Sequence, residues 1–211
     1  GAFITFNDQW SGVFMLVNGN DIYLGNSAEE MRTVGNLSWK ANAKDTVTVA
    51  WGLGRGKFNT GAPFPTVTVA LPTEPLGRNN FNNVDLVWQH VFNAKWTYAV
   101  EGIYGWQYGA PDPFNPTMFG TATWGSVAQY LFYQMTPNVQ GILRVEEFED
   151  AVAERTGFAG LYTAITTGLR INLRKGVIFR PELRYDYNGN SLPFEGKHDI
   201  FVADADLIIR W

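Results

Sequence analysis

Apolar and polar side chains alternate along most of the chain with a period of two residues. Residues 177–187 show this most clearly: apolar residues occupy nearly all odd positions, and the even positions carry Ile, Arg, Glu, Arg and Asp. Successive side chains of a β-strand point to opposite faces of the sheet, so this segment predicts a strand with one apolar and one charged face. Helical spacing is hard to find, and the pattern therefore predicts an all-β chain.

About eleven alternating segments follow one another, most of them near the length of about ten residues that a tilted strand needs to cross a bilayer. Their approximate bounds are 1–7, 10–18, 31–40, 46–54, 82–92, 95–108, 121–135, 138–149, 158–173, 177–187 and 199–211. Strands of this length and number predict an antiparallel transmembrane β-barrel that forms a single domain over residues 1–211.

The connections between these segments are alternately short and long. Short links of turn-forming residues, such as Asn7-Asp8-Gln9 and Asn93-Ala94-Lys95, follow the odd-numbered segments. Long links follow the even-numbered segments; the longest, 55–80, has its own apolar stretch, which either narrows the pore or packs against a partner. Outer-membrane barrels have short turns on the periplasmic side, so the short links are predicted to lie there.

Two soluble architectures are alternatives to a barrel. Tight turns recur every 35 to 50 residues, as in a β-propeller, but a blade needs four short strands per repeat and each period here holds two longer ones. A soluble β-sandwich would use the aromatic residues as an ordinary core. Because it leaves the rows of charge on the opposite strand faces without an explanation, the barrel is favoured.

The charged faces of the predicted strands are assigned to a water-filled lumen. An Arg that faces lipid at the bilayer midplane costs about 2–4 kcal/mol, which excludes a lipid-facing row of several charges. Arg180 and Arg184 are predicted to attract anionic solutes, and Pro181 between them predicts a local bulge. The charged residues predicted to line the pore are Arg32, Lys40, Asp85, Glu101, Arg144, Glu146, Arg170, Arg180, Glu182, Arg184, Asp186, Asp204, Asp206 and Arg210.

Aromatic residues make up 15% of the chain, and many of them fall near the ends of predicted strands. Membrane barrels carry aromatic side chains at both membrane–water interfaces, where an amphipathic ring is stable. Four tryptophans near the short links therefore predict an aromatic girdle at the periplasmic interface. They are Trp10, Trp39, Trp96 and Trp211.

The composition argues against several other functions. The formal net charge is −4, so the chain lacks the broad positive surface of a nucleic-acid-binding protein. Cysteine is absent, and neither His90 nor His198 has a Ser nearby in the sequence that would suggest a hydrolase. No catalytic residue, metal site or cofactor is predicted. The longest wholly apolar run, Val13 to Val17, is too short for a transmembrane helix.

Two motifs resemble those of outer-membrane proteins. The segment Phe6 to Trp10, followed by Val17 to Asp21, is similar to the repeated hairpin of the OmpL-like porins, where an ND-x-W turn leads into a strand that ends in VNG-x-D. The stretch Ala203 to Trp211 alternates and ends on an aromatic residue, which resembles the terminal assembly signal of bacterial outer-membrane barrels. The resemblance implies a porin-type barrel in a Gram-negative outer membrane, and it transfers no catalytic residue.

Passive diffusion of small polar solutes through a charged lumen is the resulting hypothesis, with outer-membrane lipid around the barrel. The alternative is a plugged barrel with a structural role, whose loops bind a partner or an envelope layer. If Trp211 ends in the periplasm, the strand order places Gly1 outside, whereas single-chain bacterial barrels usually have an even number of strands. We therefore expect at least one more strand, either upstream of Gly1 or supplied by a partner chain or a homo-oligomer.

Overall fold

A computed structural model describes residues 1–17, 32–54, 81–111 and 119–210, and these residues form eleven β-strands. Each strand corresponds to one predicted segment, so the all-β prediction is confirmed. Within the described ranges, no helix has the length and apolar character needed to cross a membrane. The strands are β1 (Ala2–Thr5), β2 (Trp10–Val17), β3 (Arg32–Lys40), β4 (Asp45–Gly54), β5 (Phe81–Val91), β6 (Trp96–Pro111), β7 (Phe119–Thr136), β8 (Val139–Asp150), β9 (Gly160–Arg174), β10 (Val177–Asn188) and β11 (Asp199–Ile209).

Every strand pairs in antiparallel fashion with its neighbours in the sequence. The result is one sheet with the strand order β1 to β11, in which β1 and β11 are the two edges. In the part of the chain that the structure describes, these two edge strands do not pair with each other. The five short turns therefore all lie at one end of the sheet, which we call the short-turn end, and the opposite end is the loop end.

Three of the short turns are closed by the same side-chain contact. The side-chain oxygen of Asn7 accepts hydrogen bonds from the main-chain N–H groups of Gln9 and Trp10, both at 2.9 Å. Asn42 and Asn93 make the same pair of contacts two and three residues further along the chain. An Asn side chain that bonds its own following backbone in this way stabilises a tight turn. The predicted short links are thus confirmed as turns.

The bulge predicted at Pro181 is not present. The pairing of β10 with β11 passes through Pro181, which lies opposite Ala205, and the register with β9 is the same before and after it. The carbonyl oxygen of Pro181 points toward Gly168 on β9, so the missing N–H faces β9 as well. The proline therefore removes one hydrogen bond from the β9–β10 pairing without shifting it, and the register shift lies at Val177 and Ile178 instead.

The pairing register sorts the side chains onto two faces of the sheet. The large exposed hydrophobic side chains on β2 to β10, such as Leu143, Ile165 and Leu183, all lie on one face, which we call the apolar face. All the charged residues predicted to line the pore lie on the other, which we call the charged face. The alternation in the sequence therefore describes two chemically different surfaces of one sheet.

Gly176 fixes the turn between β9 and β10. Its φ is +77°, and a Cβ there would overlap the main-chain oxygen of Arg210. Gly176→Ala is therefore expected to lower the free energy of unfolding by more than the cost of about 1–2 kcal/mol for a left-handed alanine. Urea titration of the protein in lipid vesicles measures the change. Gly157→Ala is the control, because Gly157 has a φ of +79° but open space around it; an equal loss in both variants would contradict the contact with Arg210.

Candidate pore lining

The register brings charged side chains of three strands, β6, β8 and β10, into neighbouring positions on the charged face. Glu101 on β6 lies opposite Ala128, and Ala128 lies opposite Glu146 on β8. The same row continues through Ala164 on β9 to Asp186 on β10. Because small alanines separate the acidic residues, longer side chains of the adjacent row have room to reach them. That adjacent row, one step nearer the short-turn end, contains Tyr130, Arg144, Thr166 and Arg184.

Two arginines and two carboxylates form an ion-pair network in the middle of the charged face. The guanidinium of Arg184 donates hydrogen bonds of 2.6–2.9 Å to both carboxylate oxygens of Asp186. Its Nη2 is also 3.9 Å from Oε2 of Glu146, and Nη2 of Arg144 is 3.3 Å from the same oxygen. The four side chains are between 13% and 34% exposed. The network is therefore balanced in charge and only partly open to solvent.

A second ion pair joins the last two strands. Nε of Arg180 donates hydrogen bonds to both oxygens of Asp206, at 2.8 and 3.1 Å, and Nη2 adds a third contact. Both side chains are about half exposed. Since Arg180 and Arg184 are each matched by carboxylates, their role in attracting anions stays a prediction that the geometry does not favour.

The remaining predicted lining residues are spread along the charged face. Arg32 is buried at the loop end of β3, where its Nη2 donates to the carbonyl oxygen of Gly52 at 3.4 Å. Lys40 lies at the short-turn end of the same strand. Glu101 accepts a hydrogen bond of 3.1 Å from the Tyr130 hydroxyl. Asp85 on β5 lies opposite Ile103. Glu182 on β10 lies opposite Asp204 on β11, and within the described residues neither Glu182 nor Asp204 forms an ion pair.

At the short-turn end, basic side chains of β9, of the turn after it and of the end of the chain's last strand line one cavity. Arg170 and Arg210, two predicted lining residues, line a cavity of about 390 Å³ together with Arg174 and Lys175. Sequence reasoning assigned Arg174 and Lys175 to a turn and did not include them among the pore-lining residues. The signal that could have found them is the complete absence of Asp and Glu between residues 155 and 181.

The connection between β8 and β9 is an ordered loop closed by Asp150. The carboxylate of Asp150 accepts hydrogen bonds of 2.8–3.0 Å from the main-chain N–H groups of Glu154, Arg155 and Thr156. The hydroxyl of Thr156 adds a further contact at 2.9 Å. One buried carboxylate thus satisfies four donors, which gives the loop a defined shape.

This loop folds across the charged face at the loop end. Oε1 of Glu154 accepts a hydrogen bond of 2.7 Å from the side chain of Gln107 on β6. The guanidinium of Arg155 lies 5.1 Å from the ring centroid of Trp124 on β7, close enough for a cation–π contact. Gln107 and Trp124 both point from the charged face. Sequence reasoning missed this arrangement because the contacts join residues that are far apart in the chain.

Glu154 makes the packing of this loop sensitive to pH. Burial raises the pKa of Glu154 to about 7; the hydrogen bond from Gln107 opposes this rise, the Asp150 carboxylate adds to it and Arg155 opposes it. A pKa raised by folding contributes stability that is complete below the unfolded-state pKa and is lost as pH rises through the folded-state value. We therefore expect the free energy of unfolding to fall between about pH 5 and about pH 8.

Glu154→Gln should make the free energy of unfolding, measured by urea titration, depend less steeply on pH in this range. An unchanged pH dependence would exclude Glu154 as its source.

Aromatic side chains cluster on the apolar face at the short-turn end; their role as an interfacial girdle stays a prediction. The rings of Trp10 and Trp39 stack with their centroids 5.6 Å apart, and Trp96 packs against Tyr133 at 4.4 Å. Trp211, the fourth predicted girdle residue, lies outside the described residues. The structure thus brings three of the four tryptophans to one edge of the apolar face.

Comparisons with known proteins give one family match and two similar solved porin structures. The family model described as "Putative beta-barrel porin-2, OmpL-like" matches residues 1–209. The solved structure described as "NanC porin structure in rhombohedral crystal form" is similar with a TM-score of 0.58 and 9% identity, over 100% of this chain and 90% of that chain. An anion-selective porin from Comamonas acidovorans has a TM-score of 0.58 and 10% identity, over 97% of this chain and 55% of that chain. Comparison with curated protein sequences gives no match. At these identities the structural likeness shows the fold alone.

Proposed function

The chain belongs to the OmpL-like family of β-barrel porins, and from this premise we propose that it forms a channel for the passive diffusion of small polar solutes through a charged lumen. Membership of this family implies a bacterial outer-membrane location. It also points to a channel rather than to an enzyme.

One observation carries the proposal: the charged residues predicted to line the pore share one face, and the large exposed hydrophobic side chains of β2 to β10 share the other. On the edge strands β1 and β11, Phe3, Ile200 and Val202 are exceptions on the charged face. An apolar outer surface suits lipid, whereas rows of Arg, Asp and Glu need water or paired charge. A wall with such faces supports a water-filled interior whose lining charges set the field in the pore. The ion-paired residues Arg144, Glu146, Arg184 and Asp186 would lie in the middle of that lining.

Planar-bilayer recording of the purified full-length protein tests the proposal. We expect stepwise increases in conductance from the folded sample and none from a heat-unfolded aliquot. A folded, lipid-inserted sample that gives no conductance steps would reject the channel function.

A plugged barrel with a structural role is the second candidate. It is favoured by the loop between β8 and β9, which lies across the charged face and is held there by Asp150, Gln107 and Trp124. Replacing residues 151–158 by a short Gly-Ser turn should increase the conductance if this loop only narrows a pore. A barrel that stays silent in both forms would support the plugged alternative.

We further propose that residues 1–211 form one barrel domain that is closed by additional strands, from upstream of Gly1 or from another chain. Support comes from the two edge strands, which are not paired with each other within the described residues. Because the chain has no Cys, single cysteines introduced at Ile4 in β1 and Leu207 in β11 can be tested for crosslinking in the native protein. An efficient intramolecular crosslink would show direct pairing of β1 with β11 and reject this closure.

A further inference from the structure

The cavity of about 390 Å³ at the short-turn end is lined by several basic side chains. The side-chain amides of Asn138 and Asn172 can also donate hydrogen bonds there. Among the described residues, no Asp or Glu lines this cavity. Four basic residues do so: Arg170 on β9, Arg174 at its end, Lys175 in the following turn and Arg210 after β11.

Within the described residues, none of the four basic side chains of this cluster forms an ion pair with a carboxylate. Two acidic residues lie near the cluster in the register. Asp206 is held by Arg180 through three contacts, and Glu182, opposite Gly168 and therefore diagonal to Arg170, is exposed. Concentrated charge of one sign in a concave, partly enclosed site attracts ions of the opposite sign.

Main-chain hydrogen bonds hold the parts of the cluster in place. The N–H of Arg210 donates to the carbonyl oxygen of Gly176 at 2.8 Å, and the N–H of Asn172 donates to that of Asn138 at 2.8 Å. Two turns and the end of β11 are thereby joined into one framework. A framework that is ordered before a ligand arrives reduces the entropy lost on binding.

We propose that this cavity binds small phosphate- or carboxylate-bearing solutes on their way through the barrel. The inference deepens the proposed channel function and rests on it. A guanidinium group can donate two parallel hydrogen bonds to two oxygens of a carboxylate or phosphate group. Arg170 on β9 and Arg210 after β11 line the same cavity, so both can bind one anion. The cluster, rather than the paired Arg180 and Arg184, then selects anionic solutes.

The test compares two double variants with the same change in net charge. Arg170→Gln/Arg210→Gln removes two charges from the cavity, and Lys44→Gln/Lys95→Gln removes two from other short turns at the same end. Inorganic phosphate is the probe, used in two assays: calorimetric titration of the detergent-solubilised protein and partial block of the potassium chloride current in planar bilayers. We expect the dissociation constant and the half-blocking concentration to rise at least about tenfold in the first variant and less than about twofold in the second.

The outcomes separate the two proposals. Equal changes in both double variants, or no phosphate binding by the unmodified protein, would overturn the anion site. Conductance without any phosphate effect would reject the site and keep the channel. Phosphate binding that only the Arg170/Arg210 variant loses, in a protein without conductance, would support the site and reject the channel.

Discussion

Leu183→Arg is expected to lower the free energy of unfolding in a bilayer by about 2–4 kcal/mol, which is the cost of an Arg that faces hydrocarbon near the midplane. Leu183 lies in the middle of β10 on the apolar face and is 46% exposed. Its cross-strand neighbours are Thr167 and Ala203, so the new guanidinium would meet no carboxylate directly opposite it. Urea titration in lipid vesicles, followed by tryptophan fluorescence, measures the loss.

Glu182→Arg is the matched control, because it introduces the same side chain one position earlier, on the charged face. Glu182 lies opposite Asp204 and two positions from both Arg180 and Arg184 on the same face. The change therefore gives Asp204 an opposite charge and places a like charge beside two arginines that Asp206 and Asp186 already hold. An exposed pair of this kind changes stability by only about 0–1 kcal/mol. Losses of equal size in the two variants would contradict the assignment of the two faces to lipid and water.

Arg184→Met is expected to lower the free energy of unfolding by about 1.5–3 kcal/mol, the range for hydrogen bonds to charged groups. Arg184 is the residue that contacts both Asp186 and Glu146, and without it these carboxylates lose a shared partner. Asp186 is the most enclosed member of the network, at 13% exposure, so water can only partly replace the lost bonds. The same urea titration measures the effect.

Arg180→Met serves as the control for this change. Its partner Asp206 is about half exposed, and ion pairs in that environment contribute about 0–1 kcal/mol. Equal losses from Arg184→Met and Arg180→Met would show that enclosure on the charged face does not strengthen the network.

The strands and their two faces were predictable from the sequence because the relevant signal is local. A period of two residues in a segment such as 177–187 reports directly which side chains share a face. The three Asn-containing turns likewise involve contacts only two or three residues apart. Features of this kind need no knowledge of which strands are neighbours.

The charge partners on the charged face were not predictable in the same way. That Arg184 reaches Glu146, 38 positions earlier in the sequence, depends on the register of three strands. The basic cavity at the short-turn end arises because two turns and the end of β11 meet there, and the contact of Glu154 with Gln107 depends on how a loop folds back. The error at Pro181 has a related cause: the register of β10 with both of its neighbours is kept although one hydrogen bond to β9 is lost, and the pairing of neighbouring strands cannot be read from the local sequence.

The strict pairing of each strand with its sequence neighbour also affects how the molecule reaches its native state. The short turns keep the paired residues of five hairpins close together in the chain, whereas pairing β4 with β5 first requires closure of the connection 55–80. The edge strands β1 and β11 are the farthest apart in the sequence and do not pair with each other within the described residues. We expect closure of the barrel at these two edges, through the additional strands proposed above, to be the slow, late step of folding.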